Sequence, residues 1–406
     1  MSSSNVGSCS MRSAIRGSLA LAVISALLLA VSVAQAQTAK VLYNFKGGSS
    51  DGANPESSLT PDGAGNLFGT TYYGGLGYGT VFELSPNGQG GWSEAVLYRF
   101  CSAQNCTDGS RPNYAHVIID GAGNLYGTTF QGGANGSGVV FKLTPAGKSW
   151  TETVVYSFCS AQDCADGRYP TNGLIADAAG NLYGAGDNGT FELSPSGGDW
   201  VERVIYGYSD LSNGAAGLTM DAGGNIFGIV YTYTPTKEVS KVFKLAPDGK
   251  GGWTPAVLKK LGGTAVNGTL AIDGAGNLYG TTGGSDKNDG TVYKLIPGQN
   301  GKWMKKTLHT FKGGADGDSP WAGVVLDAAG NIYGTTLYGG QGGYGVVFEL
   351  SPARHGRYSE RVLWNFNLTN GAASVASLVL DGAGNLYGTT TGGGSNGWGV
   401  VFEVTP

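Results

Sequence analysis

Charged residues and histidines are scarce in this chain. Lysine, arginine, aspartate and glutamate make up 13% of its 406 residues, the formal net charge is −4, and three histidines occur. No basic stripe is present, which argues against nucleic-acid binding. No His-Glu-x-x-His motif occurs, which excludes the helical zinc site of that class of metalloprotease. We therefore expect no cofactor and no metal site, and we expect a non-enzymatic role ahead of a catalytic one.

Glycine is abundant, with 73 residues, but it shows no every-third-residue period, which excludes a collagen-like chain. Apolar and aromatic residues recur regularly, which excludes a disordered chain. Glycine mixed with β-branched and aromatic residues is typical of many short strands joined by tight turns. The composition therefore predicts an all-β protein.

The first 36 residues have the features of an export signal. Arg12 and Arg16 precede the apolar residues 19–33, and Ala34-Gln35-Ala36 matches a small-x-small cleavage site. We predict a signal peptide over residues 1–36, cleaved near Ala36, and a secreted or periplasmic chain whose residues 37–406 form one domain. The alternative is an uncleaved membrane anchor, although residues 17–34 are short for a spanning helix. After cleavage we expect no membrane span.

Four cysteines lie in two near-identical loops, residues 101–106 and 159–164. Paired cysteines in an exported chain favour disulfides, and the simplest pairing joins Cys101 to Cys106 and Cys159 to Cys164. A zinc site built from all four thiolates is the alternative.

One phrase, Asp-x-Ala/Gly-Gly-Asn-Leu/Ile-Tyr/Phe-Gly, recurs seven times at intervals of about 50 residues. Its aspartates are Asp62, Asp120, Asp177, Asp221, Asp273, Asp327 and Asp381. Around it, each repeat contains four short strand patterns, A to D, and units of about this length form propeller blades. The aspartates suit a tight turn better than a calcium loop, because the alternating oxygen ligands of a calcium loop are missing. In strand D of the first repeat, alternation places Val96, Tyr98 and Phe100 on one face.

The register of the repeats predicts a closed ring. The seventh repeat reaches strand C at the end of the sequence, whereas a lone strand D pattern, residues 41–45, stands at the start of the predicted mature chain. An open array would leave unpaired strand edges at both ends. We predict a seven-bladed β-propeller with four antiparallel strands per blade, in which residues 41–45 pair with residues 399–404. Blade 7 then comprises residues 41–45 and 376–406; a β-solenoid is the alternative.

The repeat resembles the GloVer (Gloeobacter–Verrucomicrobium type) tandem repeat of exported bacterial proteins over residues 41–406. The matching phrases are Asp-Gly-Ala-Gly-Asn-Leu-Tyr-Gly-Thr-Thr, Gly-Gly and Val-Val-Phe-Glu-Leu-Ser-Pro. It is similar, more weakly, to NHL-type propeller repeats. The resemblance implies no catalytic residues. GloVer proteins are associated with C-terminal surface anchors, and no sorting segment follows Pro406, so we expect a periplasmic or released protein.

The propeller topology places the B–C and D–A loops on one face, and these variable loops are rich in aromatic residues and glycine. Function usually lies on such loops, and aromatic rings can stack on sugars or grip peptides. The alternative is that the rings pack onto neighbouring loops. The candidate ligand-binding residues are Tyr72, Tyr73, Tyr78, Tyr114, Phe130, Tyr169, Trp321, Tyr338, Tyr344 and Trp398.

An enzyme site should break the repeat, and His116, Arg111 and Arg168 are such breaks. Three functions stay open. The first is a monomeric binding scaffold for a glycan, a peptide or an envelope protein. The second is a lactonase-like or esterase-like hydrolase, or a lyase, with a metal near the central channel. The third is a purely structural surface protein.

Overall fold

A computed structural model describes residues 37–208, 212–234, 237–261, 268–284 and 289–406. The predicted signal peptide lies outside these residues. None of the helices in the described ranges is long and apolar enough to cross a membrane. The helical segments there are single 3₁₀ turns at Gln104–Cys106, Gln162–Cys164, Gln299–Gly301, Gly314–Asp316 and Arg354–Gly356.

Seven of the eight antiparallel sheets in the described residues correspond to the seven repeats, and the eighth is a two-stranded pair on the loops. The seven are the blades, and the strands of each follow the order A, B, C, D. Blade 1 contains β3 (Thr60–Pro61), β4 (Leu67–Thr71), β6 (Thr80–Pro86) and β7 (Trp92–Arg99). Blade 2 contains β8 (Ile118–Ile119), β9 (Leu125–Thr129), β10 (Val139–Ala146) and β11 (Ser149–Ser157). Blade 3 contains β12 (Thr171–Ala176), β13 (Leu182–Ala185), β14 (Gly189–Ser196) and β15 (Asp199–Gly207).

Blade 4 contains β16 (Ser212–Ala215), β17 (Thr219–Met220), β18 (Ile226–Thr234), β19 (Lys237–Pro247) and β20 (Trp253–Leu261). Blade 5 contains β21 (Ala271–Ile272), β22 (Leu278–Thr282), β23 (Thr291–Pro297) and β24 (Trp303–Thr310). Blade 6 contains β25 (Val325–Leu326), β26 (Ile332–Thr335), β27 (Val346–Pro352) and β28 (Tyr358–Asn365). Blade 7 contains β29 (Val379–Leu380), β30 (Leu386–Thr390), β31 (Val400–Thr405) and β1 (Thr38–Asn44).

Blade 4 differs from the predicted four strands, because β16 pairs with β18 beside β17. The glycine-rich B–C loop of other blades is missing here, and β18 and β19 instead continue as a hairpin to the pair Thr234↔Lys237. β16 pairs with the additional residues at the C-terminal end of the lengthened β18.

The N-terminal strand closes the ring, as predicted. β1 pairs antiparallel with β31, with Val41 opposite Phe402 and Asn44 opposite Val400. The strand starts at Thr38, three residues before the predicted start, and the Phe45 amide adds a 3.1 Å hydrogen bond to the carbonyl oxygen of Gly399. Blade 7 is therefore built from both ends of the described chain.

Apolar side chains fill the spaces between neighbouring blades. Seven buried clusters occur in the described residues, and each draws its side chains from two adjacent blades, including blades 7 and 1. Phe45, at the end of strand D of blade 7, is fully buried and its ring lies 5.1 Å from that of Phe82 in blade 1. Complete burial of a side chain of this size stabilises the fold by about 1.5–3 kcal/mol. The ring is thus held by packing as well as by strand pairing.

A β-bulge interrupts strand D of every blade, so the predicted alternation of Val96, Tyr98 and Phe100 is wrong. Val81 is opposite Tyr98 and Phe82 is opposite Val96, which leaves Leu97 as the extra residue. The bulge turns Leu97 toward the core cluster of blades 1 and 2. The equivalent extra residues are Leu42, Val155, Ile205, Leu258, Leu308 and Leu363.

The repeated aspartates form the A–B turns, which confirms their predicted role. The Asp62 carboxylate accepts hydrogen bonds from the backbone amides of Ala64 and Asn66 and from the Asn66 side chain, at 2.8–2.9 Å. Gly65 has a φ of +91°, which the turn requires. Burial alone would raise the pKa of Asp62, but these hydrogen bonds outweigh it and hold that pKa below its usual range.

The D–A and B–C loops share one face, called here the loop face. Short backbone ladders join the two kinds of loop: β2 (Gly52–Ala53) pairs with β5 (Tyr73–Gly74), and single bridges join Ser110 to Gln131, Asp318 to Tyr338 and Ala372 to Gly392. The glycine-rich loops are therefore anchored to their neighbours at four blade junctions.

Candidate functional site

Ring closure brings the aromatic loops of the two chain ends together. The four aromatic, glycine-rich B–C loops belong to blades 6, 7, 1 and 2, which are consecutive around the ring. Six of the exposed large apolar side chains in the described residues lie on this arc of the loop face: Tyr73, Leu76, Tyr78, Tyr338, Leu368 and Trp398. Contiguous exposed apolar surface is typical of binding sites.

An opening on this arc lies where blades 7 and 1 meet, and we call it the junction pocket. Its volume is about 530 Å³, within the range of small-molecule sites. Tyr73 and Trp398 supply its aromatic surface, and their side chains are 42% and 45% exposed. The remaining lining residues are small: Gly48, Ser49, Ala53, Gly74, Gly75 and Gly77.

Backbone contacts fix the position of Trp398. Its carbonyl oxygen accepts a 2.9 Å hydrogen bond from the Asn54 amide, and the residue forms a bridge to Gly393. The indole ring lies over Gly47, where a Cβ atom would come within 3.0 Å of it. Gly399, with a φ of +92°, allows the chain to turn from this loop into β31. The tryptophan is therefore held in place while almost half of its side chain stays exposed.

Tyr73 is placed by its aromatic neighbour and by a cation. The rings of Tyr72 and Tyr73 meet edge to face at 4.7 Å. The Arg111 guanidinium carbon lies 5.8 Å from the centroid of each ring. Within the described part of the chain, Arg111 forms no ion pair, and its buried Nε has no hydrogen-bond partner.

The junction of blades 2 and 3 presents a related arrangement in which the arginine is paired. Phe130 and Tyr169 stack at 5.1 Å, and Arg168 lies 5.5 Å above Tyr169. Arg168 Nε donates a 2.6 Å hydrogen bond to Asp187, which raises the pKa of the guanidinium. Arg168 is therefore paired with a carboxylate, whereas Arg111 forms no ion pair with any described residue.

The remaining predicted residues are scattered. Tyr78 and Tyr338 are exposed on the loop face outside the junction pocket, at 39% and 53%. Tyr344 packs against the core of blades 6 and 7. Tyr114 lines the central channel, and the Trp321 ring nitrogen is buried without a hydrogen-bond partner among the described residues. Of the ten candidates, the pocket brings together Tyr73 and Trp398, with Tyr72 behind Tyr73.

Both cysteine loops contain the predicted local disulfides, Cys101–Cys106 and Cys159–Cys164. The Asp-Gly elements beside them are structural. Buried Asp108 accepts hydrogen bonds from the Tyr98 hydroxyl and from the amide and hydroxyl groups of Ser102, at 2.8–2.9 Å. Asp51 and Asp166 bind Tyr43 and Tyr156 in the same way, and Asp316 binds His309.

Sequence reasoning missed a glutamate that recurs next to these aspartates. It projects from strand D of the following blade, two residues after an aromatic residue, as Glu94, Glu152, Glu202 and Glu360. Burial, followed by the charge of the neighbouring aspartate, raises the pKa of each glutamate to about 7. One oxygen of each carboxyl group is buried without a hydrogen-bond partner in the described structure. The spacing aromatic-x-Glu, which recurs at the start of strand D in the sequence, could have revealed these glutamates.

A small cavity lies at the central channel. Glu56, Tyr114, His116 and Asn172 line a cavity of about 20 Å³, which is room for one water molecule or slightly more. Burial raises the pKa of Glu56 to about 7, and burial lowers the pKa of His116. Among the described residues, no three His, Cys, Asp or Glu side chains are grouped as metal ligands.

The Gly-x-Ser-x-Gly pattern of hydrolase nucleophiles occurs twice, at residues 48–52 and 393–397. Both segments are loops that lead into β-structure, whereas the nucleophile pattern requires a strand-to-helix turn. We therefore assign Ser50 and Ser395 no nucleophilic role.

The comparisons with known proteins agree with this fold. A model of the Gloeobacter/Verrucomicrobia repeat matches residues 77–267 and 216–406. The chain belongs to this family. No curated protein sequence matches this Gloeobacter/Verrucomicrobia repeat protein.

Solved structures similar to this Gloeobacter/Verrucomicrobia repeat protein share its fold at low sequence identity. An ulvan lyase of polysaccharide lyase family PL25, bound to -[GlcA(1-4)Rha3S]-, matches 90% of this chain and 95% of its own, with 10% identity and a TM-score of 0.57. The polysaccharide lyase Uly1 matches 89% of this chain and 92% of its own, with 12% identity and a TM-score of 0.52. The extracellular domain of a hybrid two-component system of B. thetaiotaomicron has 16% identity and a TM-score of 0.53; the match covers 91% of this chain and 41% of that one.

Proposed function

We propose that this protein is an exported scaffold that binds a glycan in the junction pocket. The observation that carries the proposal is a preformed cavity of about 530 Å³ whose aromatic surface comes from two exposed but immobilised rings, Tyr73 and Trp398. Flat aromatic faces with small residues between them suit the apolar face of a sugar ring, and the polar edge of the ring stays in water.

Three features support a carbohydrate over a peptide. The pocket lining contains no charged side chain, and its small residues leave room for a ring-shaped ligand. The backbone groups of Gly52–Ala53 are already paired with Tyr73–Gly74, so this ladder offers no free edge to an extended peptide. The fold is also that of the polysaccharide lyases, which act on glycans, although such similarity is an analogy and shows only the fold.

The first test is a glycan array with purified protein, followed by titration calorimetry with the best ligand. Trp398→Ala should weaken binding by about tenfold or more, since removing one aromatic anchor of a small site costs about 2 kcal/mol. Tyr338→Ala is the matched control, because Tyr338 is at least as exposed on the same face but lies outside the pocket. Equal affinities for wild type and Trp398→Ala would exclude the pocket as the binding site.

A second candidate function is polysaccharide cleavage at the central channel. Glu56 carries a carboxyl group with a pKa near neutrality, which suits a general acid or base, and it lines the same cavity as Tyr114 and His116. The described channel residues offer a metal one carboxylate and one imidazole, fewer than the three protein ligands of catalytic zinc sites. Incubation with uronate polysaccharides, with the unsaturated product followed by ultraviolet absorbance, distinguishes cleavage from binding. Product formation that Glu56→Gln abolishes would replace the binding proposal.

A further inference from the structure

We propose that the ligand of the junction pocket is an acidic glycan whose carboxylate or sulfate group is bound by Arg111. This inference rests on the proposed function and specifies its ligand class. Its basis is the position of the Arg111 guanidinium, which lies beside the pocket and forms no ion pair with any described residue.

The position of Arg111 is set by its backbone. It occupies the left-handed region at a φ of +55°, and its amide donates a 2.7 Å hydrogen bond to the carbonyl oxygen of Tyr78. The equivalent residue is held in the same way at other junctions, where it is Asn54, Tyr169, Ser319 or Ala373. The backbone conformation is thus shared by five junctions, whereas the arginine side chain is particular to this one.

The side chain of Arg111 lies against the wall of the pocket. The guanidinium carbon is 5.8 Å from the ring of Tyr73, and Tyr73 lines the cavity. A sugar stacked in the pocket therefore has Arg111 within reach of a substituent that extends past the edge of Tyr73. A planar guanidinium binds carboxylate and sulfate oxygens through paired hydrogen bonds.

No described acidic side chain neutralises this charge. Arg111 forms no ion pair within the described residues, in contrast to Arg168, which is bound to Asp187 at 2.6 Å. Asp51, a carboxylate in the loop that lines the pocket, is buried and already accepts hydrogen bonds from Tyr43, Lys46 and Gly52. Arg99 adds a second positive charge where it donates to the carbonyl oxygens of Ser49 and Ser50, beside the pocket. Two arginine side chains therefore lie beside the pocket, although the formal net charge of the whole chain is −4.

The test compares matched polymers that differ only in charge. Polygalacturonate is paired with its methyl ester, and dextran sulfate is paired with dextran. Calorimetry measures the affinity of wild type, Arg111→Gln, Arg168→Gln and Trp398→Ala for each polymer, at low and high salt. Thermal melts check that every variant is folded, and Arg111→Lys reports whether charge alone is enough.

We expect an acidic polymer to bind at least about tenfold more tightly than its neutral partner, as charge-assisted hydrogen bonds imply. Arg111→Gln should remove that preference, Arg168→Gln should keep it, and salt should weaken the binding of the acidic polymer alone. The polymer pair that shows the preference identifies carboxylate or sulfate as the recognised group.

Other results overturn the inference in distinguishable ways. Equal binding of charged and neutral partners that depends on Trp398 and not on Arg111 would contradict the acidic-ligand inference and leave the proposed glycan site intact. If Arg111→Gln and Arg168→Gln reduce the preference for the acidic polymer equally, the preference arises from general electrostatic attraction to the loop face, and the inference is wrong. Absence of binding to every polymer and to the glycan array would contradict the proposed function itself.

Discussion

The amide of Asn54 donates a hydrogen bond of 2.9 Å to the carbonyl oxygen of Trp398, residues that lie near opposite ends of the described chain. The same contact joins blade 1 to blade 7 and holds the tryptophan of the junction pocket in place. Ring closure and the candidate site therefore share this contact. A substitution that weakens the closure should also displace the residues of the pocket.

Removing the closing strand, residues 39–46, should lower the melting temperature sharply, because it deletes the pairing with β31 and the buried ring of Phe45. The milder change Phe45→Ala should cost about 3–5 kcal/mol, as large-to-small substitutions of buried aromatic residues do. Differential scanning calorimetry measures both. The exposed Val154→Ala serves as the control, and a melting curve of the deletion variant that matched wild type would contradict the closed ring.

Substitution of Gly399 should destabilise the junction more than substitution of Gly397. Both residues have positive φ, at +92° and +80°, so alanine strains both backbones. A Cβ atom at Gly399 would also lie 2.7 Å from Pro55 Cδ, whereas a Cβ atom at Gly397 meets nothing within 4 Å. Gly397→Ala should cost about 1 kcal/mol and Gly399→Ala clearly more. Equal urea midpoints for the two variants would refute this account of how blades 7 and 1 fit together.

Stability should fall as the pH rises through neutrality. The glutamates Glu94, Glu152, Glu202 and Glu360 have a pKa raised to about 7 in the folded protein, from an ordinary value of 4.5. A raised carboxyl pKa contributes stability that is fully present below the unfolded pKa and is lost as the pH passes the folded one. The melting temperature should therefore be higher at about pH 5 than at about pH 8.

Glutamine variants test whether these four glutamates cause the loss of stability at higher pH. Each Glu→Gln change keeps a neutral side chain at every pH, so Glu152→Gln should flatten the alkaline side of the profile in part, and the fourfold variant should flatten it further. A fourfold variant with the wild-type slope would show that other groups cause the effect.

Acid should destabilise the protein through a different set of carboxyl groups. In the turn aspartate Asp273, burial would raise the pKa, but hydrogen bonds from Asn277 and Tyr279 lower it to about 2. A depressed pKa contributes stability above the unfolded value that is lost as the pH falls through the folded one. Asp273→Asn should therefore reduce the melting temperature at pH 6 and lose most of that difference near pH 2. A difference that persisted unchanged at pH 2 would rule out the carboxylate as its source.

The propeller and its closure were predictable because they depend on patterns that sequence displays directly. The Asp-to-Asn turn repeats seven times, and the Val-Leu-Tyr-Asn-Phe phrase at residues 41–45 identifies a displaced strand D. The bulge at Leu97 was not predictable, because an apolar residue in a strand carries no mark of being the extra one. The predicted D-strand face was wrong for that reason.

The site was harder to predict than the fold. Tyr73 and Trp398 lie exposed in the junction pocket, whereas Tyr344 packs against the core and Tyr114 lines the channel, and the sequence pattern of their loops does not distinguish the two outcomes. Which rings share a pocket depends on the contact between blades 7 and 1, and that contact joins loops more than 300 residues apart. The unpaired state of Arg111 depends likewise on distances that the sequence does not contain.

A crystal structure with an oligosaccharide selected on the glycan array tests the central claim most directly. The account predicts a sugar ring stacked on Trp398 or Tyr73 in the junction pocket, with its acidic group at Arg111. A sugar bound at Glu56 in the channel, with the junction pocket empty, would contradict the account and favour the catalytic alternative.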